Sequence, residues 1–131
     1  MVKVSTQFAE DITALDWSPK DAKFIVAGDR KGNAFILDSE TLEVLGQSSG
    51  KAKGWIEDIK FSPDGQLVAF GTHLAASKLT ICQVGTSGKL TKKGDYMVGI
   101  SSALTHLDWT LDSENIVINS PVNLTWFNVE S

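Results

Sequence analysis

The sequence predicts an all-β fold that is built from three repeated units of short antiparallel strands. The central unit carries the clearest signal, because strand-like runs at 56–61 and 67–70 flank the turn sequence Ser-Pro-Asp-Gly at 62–65. Proline fixes one backbone angle of such a turn, and glycine supplies the positive φ. A third run, at 78–84, is rich in β-branched residues, which favour strands. These observations predict three antiparallel strands within residues 56–84.

The same pattern of apolar runs and turns occurs once before and once after the central unit. Leu15, Ile59 and Leu107 hold equivalent positions in the three units, which gives spacings of 44 and 48 residues. A period of about 40–45 residues with four strands per repeat is typical of WD40 β-propellers. The repetition therefore predicts WD40-type β-propeller blades.

Each repeat is also expected to contain a fourth strand. Runs at 42–45 and 90–98 are the candidates for the second and third repeats, and residues 2–8 alternate apolar and polar side chains as an edge strand does. The prediction is therefore three four-stranded antiparallel repeats, at about 2–38, 42–84 and 90–129. They form a single WD40 repeat region at 1–131.

Three blades make an incomplete ring, because β-propellers typically have four to eight. An open fan would expose the apolar faces of its two end blades. One expected solution is a homodimer, in which residues 2–8 complete the last sheet of a second copy and the two chains form a six-bladed ring. The alternative is that the chain is a fragment of a larger propeller.

Particular motifs support the repeat assignment. Leu-Asp-Trp-Ser-Pro at 15–19 and Phe-Ser-Pro-Asp-Gly at 61–65 resemble the first hairpin of WD40 repeats, and Ile-Leu-Asp at 36–38 resembles their Trp-Asp ending. The segment Ser-Ser-Ala-Leu-Thr-His-Leu-Asp-Trp at 101–109, with Asn-Ser at 119–120, is similar to the echinoderm microtubule-associated protein-like (EMAP-like) family. The resemblance covers nearly the whole chain, and it implies a protein-binding scaffold associated with microtubules.

The sequence departs from the family pattern at the start of each repeat. The usual Gly-His pair is absent, and Gly99 is followed by Ile100 where histidine is expected. These blades should therefore lack the buried hydrogen-bond network that includes this histidine. We expect apolar packing between sheets instead, through Leu15, Trp17, Ile59, Phe61, Leu107 and Trp109.

Composition limits the classes of partner. A net charge of −4 and a pI near 5.0 argue against a nucleic-acid surface or a polybasic membrane anchor, since both depend on an excess of lysine and arginine. No apolar run approaches the ~20 residues that cross a bilayer, so no membrane partner is expected. The single cysteine, Cys82, lies in an apolar run and is expected to be a small buried residue. A cytoplasmic location follows as an expectation.

Binding residues are expected on one rim, where the loops that enter each first strand and the loops that join second to third strands converge. Trp55 is the first candidate, because tryptophan is enriched at binding hot spots. The alternatives are that Trp55 packs over a blade edge and that the charged residues, including Glu10, are simply solvated. The candidate protein-binding residues are Asp11, Arg30, Lys31, Trp55, Glu57, His73 and Ser102.

No catalytic residue, metal site or cofactor is expected. His106 and Asp108 share one side of a predicted strand, but no third ligand or catalytic partner lies near them in the sequence. The predicted function is thus a non-enzymatic scaffold for protein–protein interactions, with a microtubule or cytoskeletal role implied by the resemblance. Two alternatives stay open. One is an adaptor unrelated to microtubules, and the other is a propeller hydrolase whose central channel would use Asp16, His106 and Asp108.

Overall fold

The computed structural model describes residues 2–48, 54–72, 78–97, 104–120 and 123–129. All regular secondary structure in these ranges is β-strand. No helix in this part of the chain is long and apolar enough to cross a membrane. The strands are β1 Ile12–Trp17, β2 Phe24–Asp29, β3 Ala34–Asp38, β4 Val44–Ser48, β5 Ile56–Phe61, β6 Leu67–Thr72, β7 Lys78–Val84, β8 Leu90–Met97, β9 His106–Trp109, β10 Asn115–Ser120 and β11 Asn123–Asn128.

The strands form three antiparallel sheets, each of which follows the chain order. Sheet 1 is β1-β2-β3-β4, sheet 2 is β5-β6-β7-β8 and sheet 3 is β9-β10-β11. Strand β1 lies beside β5, and β5 lies beside β9, so the first strands of the sheets are neighbours at the centre and the later strands spread outward. This arrangement is a fan of three propeller blades, and the described residues do not close it into a ring.

The sheets are offset by one strand from the predicted repeats. Strand β4 pairs with β3 of sheet 1, and β8 pairs with β7 of sheet 2, so each outer strand closes the sheet that precedes it in the chain. The predicted strand at 42–45 is observed two residues later, at Val44–Ser48. Sheet 3 has three strands among the described residues, where the repeat pattern predicted four.

The edge strand predicted at 2–8 is wrong, because these residues form no strand. An outer strand in this fold pairs with the third strand of a preceding sheet, and the described residues contain no sheet before β1. The segment instead lies against sheet 1. The ring of Phe8 packs edge-on against Phe35, with centroids 5.2 Å apart, and the side chain of Gln7 donates to the Leu42 carbonyl at 2.7 Å.

Strand pairing gives every sheet two distinct faces, which we call leading (toward the preceding sheet) and trailing (toward the following sheet). Cross-strand partners point to the same face. In sheet 2, Phe61 pairs with Val68 and these side chains face sheet 1, whereas Lys60 pairs with Ala69 and faces sheet 3. In sheet 1 the leading face carries Leu15 and Trp17.

Two apolar clusters fill the two seams between sheets. The first seam includes Val26 and Ile36 of sheet 1 with Ile59 and Phe61 of sheet 2. Cys82 lies in this cluster and is fully buried, as predicted, and burial raises the pKa of its thiol although a hydrogen bond with Ser48 opposes the shift. The second seam is filled by Ala69, Leu79, Ile81, Leu104, Leu107, Trp109, Ile116, Ile118 and Val129.

The expectation that Leu15 and Trp17 pack between sheets is wrong. Their exposed fractions are 61% and 50%, whereas the equivalent residues of sheets 2 and 3 (Ile59, Phe61, Leu107 and Trp109) are buried. The physical reason is position in the fan. No sheet of the described chain covers the leading face of sheet 1, so these side chains have no partner surface there.

Close approach of the sheets depends on two glycines at equivalent positions. A Cβ atom at Gly28 would lie 2.6 Å from the Ile56 side chain, and one at Gly71 would lie 2.4 Å from Leu104. Real Cβ atoms do not approach other atoms so closely, so a side chain at either glycine would push the sheets apart. The glycines therefore set how tightly each seam closes.

Candidate functional site

The candidate site lies on one rim of the fan, where sheet 1 meets sheet 2. Asp11 directly precedes β1, Arg30 and Lys31 lie in the loop between β2 and β3, and Trp55 directly precedes β5. The backbone N–H of Arg30 donates to the Asp11 carbonyl at 2.9 Å, which joins the entry to β1 to the β2–β3 loop.

The β2–β3 loop is shaped by Asp29, a buried residue at the end of β2. One carboxylate oxygen accepts from the backbone N–H groups of Lys31 and Asn33 at 2.9 and 2.8 Å, and the other accepts from the Asn33 side chain at 2.9 Å. Gly32 completes the turn with a φ of 87°, a conformation that glycine adopts without strain. The loop thus presents Arg30 and Lys31 from a fixed backbone.

Ion pairs cross this rim. Arg30 lies 3.8 Å from the Asp11 carboxylate, and Lys31 lies 3.1 Å from the Glu10 carboxylate. Both basic side chains are largely exposed, so water screens these pairs and each contributes well under about 1 kcal/mol to stability. Such pairs exchange readily for contacts to charges on a bound molecule.

Trp55 forms the other side of the site. Its indole N–H donates to the Glu57 carboxylate at 2.6 Å, and 40% of the residue is exposed. The backbone behind it is held by Thr13, whose hydroxyl donates to the carbonyl of Ile56 at 2.6 Å and so ties β1 to β5. Trp55 therefore offers a large apolar ring on a rigid support.

These residues surround one open cleft of about 350 Å³. Four of the residues that the sequence predicted, Asp11, Arg30, Trp55 and Glu57, line the cleft together with Thr13 and Ile56. Lys31 lies beside it in the same loop as Arg30. The cleft combines an aromatic surface with charges of both signs.

Two predicted residues, His73 and Ser102, lie outside the described residues. Sequence reasoning did not select Asp29, Thr13 or Ile56. For Asp29 a signal existed, because the sequence Asp-Arg-Lys-Gly-Asn at 29–33 is typical of a loop that an aspartate closes on itself. Thr13 and Ile56 carry no such local signal, since they act only across the seam between two sheets.

The other predicted pair, His106 and Asp108, lies away from the cleft. Both side chains are exposed, and the His106 imidazole nitrogen is 3.9 Å from the Asp58 carboxylate. Among the residues that the structure describes, no three histidine, cysteine or acidic residues are grouped as metal ligands would be.

Comparison with known proteins gives both a sequence and a fold relationship. No family model matches the chain. The chain is 32% identical to "Echinoderm microtubule-associated protein-like 3" of Mus musculus over 106 residues, which are 80% of this chain and 11% of the relative. It is 30% identical to "Echinoderm microtubule-associated protein-like 4" of Xenopus laevis over 97 residues, or 73% of this chain and 10% of the relative. The chain thus spans about a tenth of the length of these relatives.

Solved WD40 structures share the fold at low sequence identity. The C-terminal WD40 domain of Sif2 superimposes with a TM-score of 0.76 at 12% identity, over 92% of this chain and 34% of that chain. The β-propeller domain of Myceliophteria thermophila Cps50 (Swd1) gives a TM-score of 0.74 at 16% identity, over 91% of this chain and 40% of that chain. The three sheets are therefore blades of a WD40 β-propeller.

Proposed function

We propose that this chain, a WD40 protein that resembles the EMAP-like proteins, is a non-catalytic scaffold that binds another protein through the rim cleft. One observation carries the proposal. Trp55 is half-exposed on a fixed backbone, and the charged side chains of Arg30 and Glu57 flank the same cleft. A tryptophan surrounded by polar groups is the usual composition of a protein-binding hot spot.

The chemistry of the cleft favours a protein segment over a small anion or a metal ion. The lining combines the acidic Asp11 and Glu57 with the basic Arg30, so the site has no strong charge of one sign to concentrate a simple ion. A peptide or loop can instead pack an apolar side chain on the Trp55 ring and exchange partners with Arg30 and Asp11. Loops on a rigid β-scaffold commonly serve this purpose.

We propose microtubules as the binding partner and the cytoskeleton as the cytoplasmic location. The support is the sequence likeness to proteins named as microtubule-associated. Electrostatic attraction to acidic tubulin would have to come from local basic groups, because the net charge of the chain is −4. Arg30 lines the cleft and Lys31 lies beside it, and their exposed ion pairs with Asp11 and Glu10 would open when these basic groups contact tubulin.

Co-sedimentation with polymerised tubulin at low salt tests both parts of the proposal. We expect the wild-type chain to pellet with microtubules. We expect Trp55→Ala to raise the dissociation constant by about 30-fold, the effect of losing a hot-spot tryptophan. Leu111→Ala is the matched control, because Leu111 is an exposed apolar residue in the β9–β10 turn, on the opposite rim.

The possible outcomes separate the rival functions. If the wild-type chain stays in the supernatant, the microtubule role is wrong and a general WD40 adaptor takes its place. If it pellets and Trp55→Ala binds as tightly as wild type, the cleft is not the contact surface. Circular dichroism of each variant checks that the substitution has left the sheets folded.

A further inference from the structure

The charges of this chain are distributed unevenly along the sequence. Residues 65–107 contain four lysines and one acidic residue, a local charge of +3 in a chain whose net charge is −4. Three of the lysines, Lys89, Lys92 and Lys93, lie within five residues at the start of β8. A concentration of positive charge in an otherwise acidic protein indicates a surface that attracts ligands of negative charge.

The fold places these lysines on the outer edge of sheet 2. Strand β7 pairs with one edge of β8, and no strand of the described residues pairs with the other edge. Sheet 2 has a described sheet on each of its faces, so further blades would add beside sheets 1 and 3 and would leave this edge on the circumference. The basic edge, as we call it, consists of the exposed Lys89, Lys92 and Lys93 with Lys78 of β7 beside them.

Strand β8 is anchored on both of its faces. Leu90, its first residue, is buried in the first seam. Tyr96 packs in the second seam, where its ring lies 4.7 Å from the ring of Phe127. An edge that is already ordered loses little conformational entropy on binding. Along such an edge, alternate residues direct their backbone N–H and C=O groups outward, where an added strand can pair with them.

Two local features arrange the lysine side chains. The pairing of β8 with β7 shifts between Lys92 and Gly94, so Lys93 is the extra residue of a β-bulge, a feature that re-aims side chains. Asp95 accepts a hydrogen bond from the Thr80 hydroxyl at 2.7 Å and forms ion pairs with Lys92 and Lys78. Asp95 therefore offsets one of the four positive charges, and the edge keeps an excess of positive charge.

Lysines on an edge strand can also serve to block pairing with other sheets. The outer strand of sheet 1 allows a comparison inside the same chain. Strand β4 is an edge strand as well, and its sequence Val-Leu-Gly-Gln-Ser at 44–48 contains no charged residue. A general need to block outer strands therefore does not account for the lysines of β8, whereas a specific acidic ligand does.

We propose that the outer edge of sheet 2 binds an extended acidic segment of another protein, which adds to β8 as a fifth strand. The backbone of the segment pairs with the outward-facing groups of β8, and its carboxylates contact Lys92 and Lys93. In strand addition, main-chain hydrogen bonds supply affinity and side chains supply specificity. A nucleic acid has no backbone amides with which to continue the sheet, and the net charge of −4 opposes it. This surface goes beyond the rim cleft and does not depend on the role of the cleft.

Fluorescence anisotropy with a labelled eight-residue peptide of alternating glutamate and valine tests the charge requirement. We expect the 131-residue chain to bind the peptide at low salt, and Lys92→Glu with Lys93→Glu to raise the dissociation constant by about tenfold or more. Lys20→Glu with Lys23→Glu is the matched control, because these exposed residues of the β1–β2 turn give the same change in net charge. Trp55→Ala should bind the peptide like wild type, which separates this test from that of the cleft.

The backbone requirement has its own test. Two versions of the peptide, N-methylated at every valine or at every glutamate, keep the charges but each block one backbone edge. At least one of them should bind about tenfold more weakly. Hydrogen exchange of the backbone amides in residues 90–97 should slow when the unmodified peptide binds.

The outcomes that would overturn the proposal are distinct. They are no binding of the peptide, equal weakening by the control variant, full binding of both methylated peptides, and equally tight binding of a single-stranded oligonucleotide of the same charge. The last result would show that charge alone attracts ligands to this edge. Circular dichroism confirms that every variant is folded.

Discussion

Sheets 1 and 2 carry nearly the same pattern of residues, yet the pattern has opposite results on their leading faces. Ile59 and Phe61 of β5 are buried against sheet 1. Leu15 and Trp17 hold the same positions in β1 and are exposed. The difference lies in the neighbour, because sheet 2 has a sheet before it and sheet 1 has none among the described residues. A repeat motif specifies a face that is suited to burial, and an adjacent blade is required to bury it.

The comparison predicts that truncation to alanine lowers the free energy of unfolding by very different amounts at two equivalent positions. This is the largest effect that we expect. Ile59→Ala should lower the free energy of unfolding by about 2–5 kcal/mol, since it leaves a cavity in the first seam. Leu15→Ala, at the equivalent exposed position, should cost under about 1 kcal/mol in the monomer.

Urea denaturation measures both values. Equal losses for the two variants would show that the leading face of sheet 1 is covered in solution. The slope of unfolding free energy against urea should stay the same in both variants, because the folded state keeps its compactness.

A second matched pair tests the hydrogen bond that joins neighbouring inner strands. Asp16→Ala leaves the buried N–H of Phe61 without its acceptor and should cost about 1–3 kcal/mol. Asp108→Ala changes the equivalent residue on the open trailing face, where the carboxylate is exposed, and should cost at most a few tenths of a kcal/mol in the monomer. Asp16→Asn keeps an acceptor oxygen, so it should lower the free energy of unfolding by less than Asp16→Ala does. Thermal unfolding followed by circular dichroism ranks the three variants, and a reversed order would contradict the role of Asp16.

The smallest predicted effect concerns a carboxylate that links strands within one sheet. Burial raises the pKa of Asp95, but hydrogen bonds from Lys92 and Thr80 together with the nearby positive charges outweigh it and hold the pKa below its usual 3.8. Because the folded-state pKa is lowered, the ionised group stabilises the fold above pH 3.8, and this contribution is lost as the pH falls through the folded-state pKa. A quarter of the Asp95 side chain is exposed and the partner Lys92 is half-exposed, so water screens the pair and the contribution should be under about 1 kcal/mol.

Acid titration of stability measures this contribution, with Asp95→Asn as the comparison. The difference in unfolding free energy between wild type and variant should shrink as the pH falls below 3.8. A difference that is constant from neutral pH to the acid limit would mean that the charge of Asp95 does not act through these contacts. Added salt should also reduce the difference at neutral pH, since exposed ion pairs are screened.

The sequence located the strands well, because each one carries its own local signal. The β5 and β7 strands have the predicted bounds, and the Ser-Pro-Asp-Gly turn falls between β5 and β6. The rim cleft was partly predictable for the same reason, since the loops that hold Asp11, Arg30 and Trp55 follow from strand order alone. The binding role of these residues stays a prediction.

Errors arose wherever a partner element decides the outcome. Residues 2–8 have the alternation of an edge strand, but the described residues contain no sheet before β1 for them to pair with, and Phe8 packs on Phe35 instead. Leu15 and Trp17 have the composition of core residues, but none of the three described sheets packs on them. Thr13 and Ile56 were missed because they lie 43 residues apart in the chain, and only the contact between their two sheets brings them together.

By itself, the sequence determined the all-β class, the repeat period and the strands, because local side-chain patterns and turn residues set these features. Only the tertiary structure decided which strand closes each sheet, which equivalent apolar residues are buried and which rim residues meet in one cleft. These properties depend on contacts between segments that are distant in the chain. Burial and hydrogen bonding across a seam are properties of two sheets together, and neither sheet encodes them alone.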